Sequence, residues 1–390
     1  MKAGGSQERY TLGDHVLQIG VVLGAIAIVL GLAASVYIGL ASHHIPIDFS
    51  FLSQVSGLHL SEGLTLDLSR PWDLVPFSSS DTNLQALILG LYNTLKVALL
   101  GIVFSTLLGL LVGIGRVSPN WLLNRVCLVF VDLVRNTPLL IQLFFWYFAV
   151  VLQLPALRSA AQFYGVIASR QGIYTPSLLG VPAWPDFWWA ALASLVLAAV
   201  ILRLTRRPGA RAFRWPGIAV IAIAWGVALA ALGHPLRIDL PVASRFRASG
   251  GLAFTPEFSA ILLALVVYTA AFIAEIVRGS IEAVSTRQWM AAYALGLKRH
   301  QAMTHIILPQ AFRILVPPLV NQYLNLAKNT SLAIAIGFPD LFNVYGTVAN
   351  QTGRSMEGIL IVMVAYLALN WLISLVMNLY NRRLMAQGAR

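Results

Sequence analysis

The sequence predicts an all-α integral membrane protein with about eight transmembrane helices, and three observations carry that prediction. Of its 390 residues, 58% are hydrophobic and only 11% charged, against roughly 25% charged in a soluble domain. The mean hydropathy is +0.76. The apolar residues are gathered into runs long enough to cross ~30 Å of hydrocarbon, and most of the charge falls between them. Disorder and collagen-like repeats are excluded, because the apolar content is too high and the 30 glycines keep no triplet period.

The first run, Val16 to Ala41, is too long for the ~7–15-residue apolar core of a cleaved signal peptide, so it reads as a retained span. Ser42 to Thr82 is polar and acidic, with Asp48, Glu62, Asp67, Asp73 and Asp81 against Arg70, and reads as an extramembrane loop. Further runs follow at 85–114, 124–152, 186–202, 216–233, 257–278, 314–338 and 358–380. The run 314–338 is unusual in holding Pro317, Pro318, Lys328 and several amides; the two prolines are expected to break or kink its entry.

The charge pattern sets orientation. A net charge of +12 would suit a nucleic-acid binder, but the basic residues lie between apolar runs, as positive-inside loops require. With the N-terminus inside, fifteen of the 27 Lys and Arg fall in inside segments and seven in outside loops, so both termini are expected in the cytoplasm. The single cysteine, Cys127, excludes an internal disulfide or a thiolate cluster. No G-x-x-x-x-G-K-[ST], H-E-x-x-H or G-x-S-x-G motif is present, so no catalytic residue, metal or ATP hydrolysis is expected on this chain. The adjacent His43 and His44 carry no such signal.

Packing signals are also legible. Gly101, Ser105, Gly109 and Gly113 recur every four residues and favour close helix approach, within the chain or at a subunit interface. Glu275 with Arg278, and Asp132 with Arg135, have i,i+3 spacing suited to local ion pairs.

The most informative segment lies between the sixth and seventh runs. It reads Met290-Ala291-Ala292-Tyr293-Ala294-Leu295-Gly296, then nine residues, then Ile306-Ile307-Leu308-Pro309. The alanines favour helix with little bulk, and Gly296 can take positive φ and end that helix. A second short helix can run to Leu308, where Pro309 follows. The segment resembles the E-A-A-x-x-x-G-x9-I-x-L-P loop of permease subunits of bacterial ABC importers. The stretches GLYNTLKVALLG (90–101), VRNTPLLIQLFFWY (134–147), AEIVRGSIEAV (274–284) and AKNTSLAIAIG (327–337) resemble the branch that carries polar amino acids. The resemblance covers 84–152 and 252–390. It implies a permease core of five spans, here the second, third, sixth, seventh and eighth runs. Residues 1–83 then add an N-terminal span and outer loop, and 153–251 form an insertion with two extra spans. That enlarged plan is similar to the larger permeases of general L-amino acid importers.

The resemblance implies an inner-membrane transport subunit that forms half of a channel for L-amino acids. Its expected partners are a second homologous permease, an ABC ATPase dimer that holds ATP and Mg, a periplasmic amino-acid-binding protein and membrane lipids. The coupling loop, 285–309, would seat on the ATPase through Ala291, Ala292, Ala294, Gly296, Leu297, Lys298, Arg299 and Pro309. Met290 stands where the family has Glu, which suggests that a second, non-identical permease supplies the more standard loop. On the seventh run, Asn321, Gln322, Asn325, Lys328 and Asn329 fall within about 120° of helix arc and are candidates to line the substrate path. Glu275 joins them as a candidate contact for the substrate ammonium or for Lys328. The alternatives are internal pairing of Lys328 and, for the whole chain, an ion-coupled secondary transporter.

Overall fold

The computed structural model describes residues 12–42, 48–68, 70–160, 162–180, 187–205, 214–232, 236–244 and 248–387. His43, His44 and the arginines at 206, 207 and 211 used for orientation lie outside these residues, as do both chain ends.

The core is built on two long helices, α2 (Asn83–Arg116) and α7 (Pro256–Glu282). They approach closely because α2 presents its small residues to α7. A Cβ built on Gly109 would stand 2.6 Å from the Ile273 side chain, and one on Gly113 would stand 2.6 Å from Val277. Of the two readings of this face, packing within the chain therefore holds. Around the pair lies a buried cluster that includes Val97, Leu143, Ile261, Leu265, Leu326 and Phe338.

The remaining core helices differ from the sequence expectation in instructive ways. The run 124–152 is not one straight span. It is α3 (Trp121–Arg135) followed by α4 (Leu139–Phe144) and a π-helical turn (Phe145–Val151), bent by 105° at the break. Pro138 explains the break: it has no N–H to give and disfavours helical backbone at Thr137. Asp132 and Arg135 do not form the expected pair; Arg135 instead lies over the Phe272 ring, 5.3 Å from its centroid.

After α7 come α8 (Thr286–Ala294) and α9 (Arg299–Ala302). The second helix of this loop does not stop before Pro309. It widens into a π turn (Met303–Ile307) and continues as α10 (Leu308–Asn329), with Pro309 in its first turn. The wide turn spares the clash that a proline ring makes with the carbonyl four residues earlier. Nor do Pro317 and Pro318 break the run; α10 passes through both and ends in a 3-10 turn (Thr330–Ile336). Gly337 closes that turn at φ +78. A short helix missed in the sequence, α11 (Leu341–Thr352), precedes the last span, α12 (Ser355–Gln387).

Four helical stretches, in α2, α7, 299–336 and α12, are long and apolar enough to cross a bilayer, and the bent pair makes a fifth. Shorter apolar stretches lie at Leu17–Ile28 in α1 (Leu12–Ser42), at Ala190–Leu204 in α5 (Phe187–Leu204) and at Trp215–Ala231 in α6 (Arg214–Leu232). Eight spans are compatible with this count. The helices α5 and α6 pack on each other, joined by a hydrogen bond from Trp225 Nε1 to Ser194 Oγ of 3.1 Å. Around α1, a Cβ at Gly20, Gly24, Gly31 or Gly39 would meet nothing within 4 Å.

At the end opposite α8, the connections fold into small antiparallel sheets that hydropathy did not reveal. Leu64–Asp67 (β1) pairs with Arg70–Pro76 (β2). Gln162–Phe163 (β3), Val166–Ser169 (β4), Gly172–Thr175 (β5) and Leu252–Phe254 form one sheet, the last strand leading into α7. Ser177–Gly180 (β6) and Leu236–Asp239 (β7) pair as a two-stranded stem that leads into α5 and out of α6.

Candidate functional site

Two places combine the residues that the sequence singled out. The first is the corner between α8 and α9. Gly296 takes φ +74 and ends α8. Its N–H donates to the Tyr293 carbonyl at 2.9 Å, and the Leu297 N–H donates to Ala292 at 3.1 Å. This double bond pattern is the left-handed helix stop that a glycine makes possible. Lys298 then starts the second helix, its N–H donating to Gln301 Oε1 at 2.9 Å. Ala292 is buried, which fixes one face of α8 against the protein. The other face is bare: Met290, Tyr293 and Leu295 are exposed, as are Ala291, Ala294, Lys298, Arg299 and Pro309, while Leu297 is half-buried. An apolar ridge with two cations at its end is a shape for seating on another protein.

The second place is the polar stripe of α10. Asn321, Asn325 and Lys328 are exposed, and Gln322 and Asn329 are half-buried. Tyr323 and Leu326 on the opposite side are buried, and Leu326 lies against Gly101. Gly101 is halfway along α2, so Lys328 stands about 3 Å from the mid-level of the bundle, two residues further on. Among the described residues no carboxylate lies within ion-pair distance of Lys328. It borders an open groove of about 770 Å³, shared with Ser331, Phe342, Tyr366 and Asn370. The buried Asn370 Oδ1 has no hydrogen-bond partner there, a feature with no signal in the sequence.

Glu275 is not part of this stripe. It binds Arg278 at 2.5 Å, and the Arg116 guanidinium stands 3.8 Å away. Arg278 also pairs with Glu282. Gly113, which packs on Val277 and Ala274, is 12 residues beyond Gly101 on α2, so Glu275 and Lys328 are separated by roughly 18 Å along the bundle. The local i,i+3 pair is the reading that holds.

Three further clusters brace the groove and the far end. Asp340 is fully buried and caps α11, accepting the Asn343 N–H at 2.9 Å and the Tyr366 hydroxyl at 3.3 Å. Burial pushes its carboxyl up to about 6 against these hydrogen bonds. Glu62, nearly buried, binds Lys96 at 2.5 Å and accepts the Thr255 hydroxyl at 2.5 Å. Lys96 also lies over the rings of Phe258 and Phe254, at 4.3 and 5.1 Å. Where Asp48 meets Arg354, hydrogen bonds from Ser50 hold its carboxyl below the usual range. Among the described residues no group of three His, Cys, Asp or Glu has the arrangement of a metal site.

A helical bundle with an uncovered polar stripe at mid-level and a capped helical corner beyond one end has the parts of a membrane transport subunit. Residues 215–386 match the family described as "Binding-protein-dependent transport system inner membrane component". The chain is 38% identical over 373 residues to the general L-amino acid transport system permease protein AapQ of Rhizobium johnstonii, covering 94% of this chain and 91% of that one. It is 36% identical over 407 residues to the glutamate/glutamine/aspartate/asparagine transport system permease protein BztB of Rhodobacter capsulatus, covering 94% and 92%. A solved structure titled as an amino acid ABC transporter with histidines is similar at a TM-score of 0.47 and 21% identity, over 76% of this chain and 94% of that one. The chain belongs to this family of permease subunits: it is a multi-pass inner-membrane transport component and not an enzyme.

Proposed function

We propose that this chain forms half of the translocation channel of an ATP-driven importer for L-amino acids, with a second, homologous permease as the other half. The observation that carries this reading is the exposed stripe Asn321, Asn325 and Lys328 at mid-bundle. An ammonium at that depth is costly against lipid and calls for a protein wall or a water-filled cavity. A facing permease supplies both. The names of the relatives support amino acids as cargo.

The corner of α8 and α9 is the proposed seat for the ATPase, on the cytoplasmic side. Both termini then lie inside, and the sheets at the other end face the periplasm, where a binding protein delivers cargo. ATP and Mg belong to the ATPase. The permease contributes no covalent chemistry. Its work is to bind cargo differently in two arrangements, since equal affinity in both shifts nothing.

The test is reconstitution in proteoliposomes with the second permease, the ATPase and the binding protein. Amino-acid uptake that requires ATP on the α8 side is the expected result. Uptake by this chain alone, driven by an ion gradient, would replace the proposal with a secondary transporter.

A further inference from the structure

We infer that the hairpin tip Phe163–Tyr164, with the cationic cleft behind it, is a docking point for a water-soluble protein that presents an apolar socket rimmed by carboxylates. This rests on the reading above, in which that partner is the binding protein. The hairpin joins β3 to β4, with Phe163 opposite Val166, so its loop is the two residues Tyr164 and Gly165. Both have positive φ, +48 and +78, as the tight turn of a twisted hairpin requires. Tyr164 is the one non-glycine residue with positive φ among those described. Such a turn ordinarily takes Asn or Asp before Gly. Here it holds a bulky aromatic in an unfavourable backbone region, and the ring gains no burial in return: Tyr164 is 87% exposed and Phe163 72%. The two rings stand perpendicular to each other, edge to face, with centroids 4.6 Å apart.

Aromatic residues are enriched at protein interfaces, and Tyr is enriched among the few that carry most of the binding energy. Beside them, Arg158 lines a cleft of about 470 Å³ with Gln162 and Ser244. The flanking segments 153–186 and 233–255 hold five arginines against two aspartates, a net of +3. The other outer segment, 43–82, holds five carboxylates against one arginine, a net of −4. The segments that carry the aromatic tip are therefore net basic, and the other outer segment is net acidic. That charge favours an acidic protein rim, and the neighbouring acidic segment would steer it in one orientation.

The experiment uses the assembled transporter in nanodiscs and the binding protein that supports its uptake, with affinity read by biolayer interferometry. The double variant Phe163→Ser/Tyr164→Asn keeps a turn-compatible residue and removes both rings. It is expected to raise the Kd at least tenfold while the complex still elutes as one species. Arg158→Glu is expected to raise it three- to tenfold, an effect that shrinks with added salt. A double variant that binds within twofold of the parent overturns the docking point while the importer reading stands. A parent complex that binds no binding protein overturns both. A Phe163→Cys variant in a Cys127→Ser background, labelled with a fluorophore before assembly, separates the remaining alternative: shielding of the label by the added protein supports the inference, whereas its quenching by brominated lipid overturns it in favour of the membrane surface.

Discussion

Gly109 of α2 and Ile273 of α7 are so close that a methyl group added to the glycine would lie 2.6 Å from the isoleucine side chain. The small-residue face of α2 is thus consumed inside the subunit, and the proposed second permease would be met on another face. Gly109→Val is expected to destabilise the bundle by about 1–3 kcal/mol, as overpacking does. The check is the thermal midpoint of the detergent-purified chain. Leu107→Val, on the exposed side of the same helix, should leave it within a degree or two.

At Gly296 the backbone itself is at stake. Nothing lies within 4 Å of a Cβ built there, but φ is +74. Gly296→Ala should cost roughly 1 kcal/mol locally and loosen the corner. Gly296→Asp adds a negative charge next to Lys298 and Arg299. ATP hydrolysis by the assembled transporter should persist in that variant while uptake falls by an order of magnitude or more. Normal uptake would remove the corner from the coupling path.

Lys328 offers the sharpest test of the channel wall. Lys328→Met keeps length and apolar bulk and removes only the charge. The assembled complex should still form, and uptake should fall at least tenfold. Wild-type uptake by the methionine variant would show that the ammonium has no part in the path.

The Asp340 carboxyl gives a pH dependence whose sign is fixed. Its value in the folded protein, about 6, is raised from 3.8, so the folded state holds the proton more tightly. The stabilisation from protonation is complete below pH 3.8 and is lost as pH rises through 6. The full difference is about 3 kcal/mol. Asp340→Asn keeps a side-chain oxygen for the Asn343 N–H and cannot ionise. Its thermal midpoint should vary less between pH 5 and 7.5 than that of the parent.

Removing half of the Lys96–Glu62 pair should be worse than removing both. Lys96→Met leaves Glu62 buried without its cation, a loss of about 3–5 kcal/mol. Adding Glu62→Gln should restore much of it, since the amide still accepts from Thr255. A double variant no more stable than the single would mean that the pair is not coupled.

The spans were legible because a bilayer permits few solutions. Hydrophobic runs such as 257–278 had to become helix, and α7 extends that run by one residue at its start and four at its end. The helix stop at Gly296 was legible because glycine answers a backbone demand. The prolines mislead, because proline reports a missing N–H and not the packing that can absorb it; Pro317 and Pro318 lie inside a helix held by Val316 and Leu319 in its buried face. The break at Pro138 was missed for the converse reason, since apolar residues continue on both sides of it. Tyr366 and Asn370 carry no sequence signal for the groove because they lie 38 and 42 residues from Lys328, which they face across it. Short strands such as β3 leave no periodicity to read.

The stem of β6 and β7 has one more consequence. Gly180 stands opposite Leu236, so the chain leaves for α5 and returns from α6 through adjacent points. The 55 residues between them are bracketed by one strand pairing. The α5–α6 segment can therefore change in length or content at a single site without shifting the register of any other helix. Excision between 180 and 236, closed by a tight turn, is expected to leave α2, α7 and the helices packed on them in their present register.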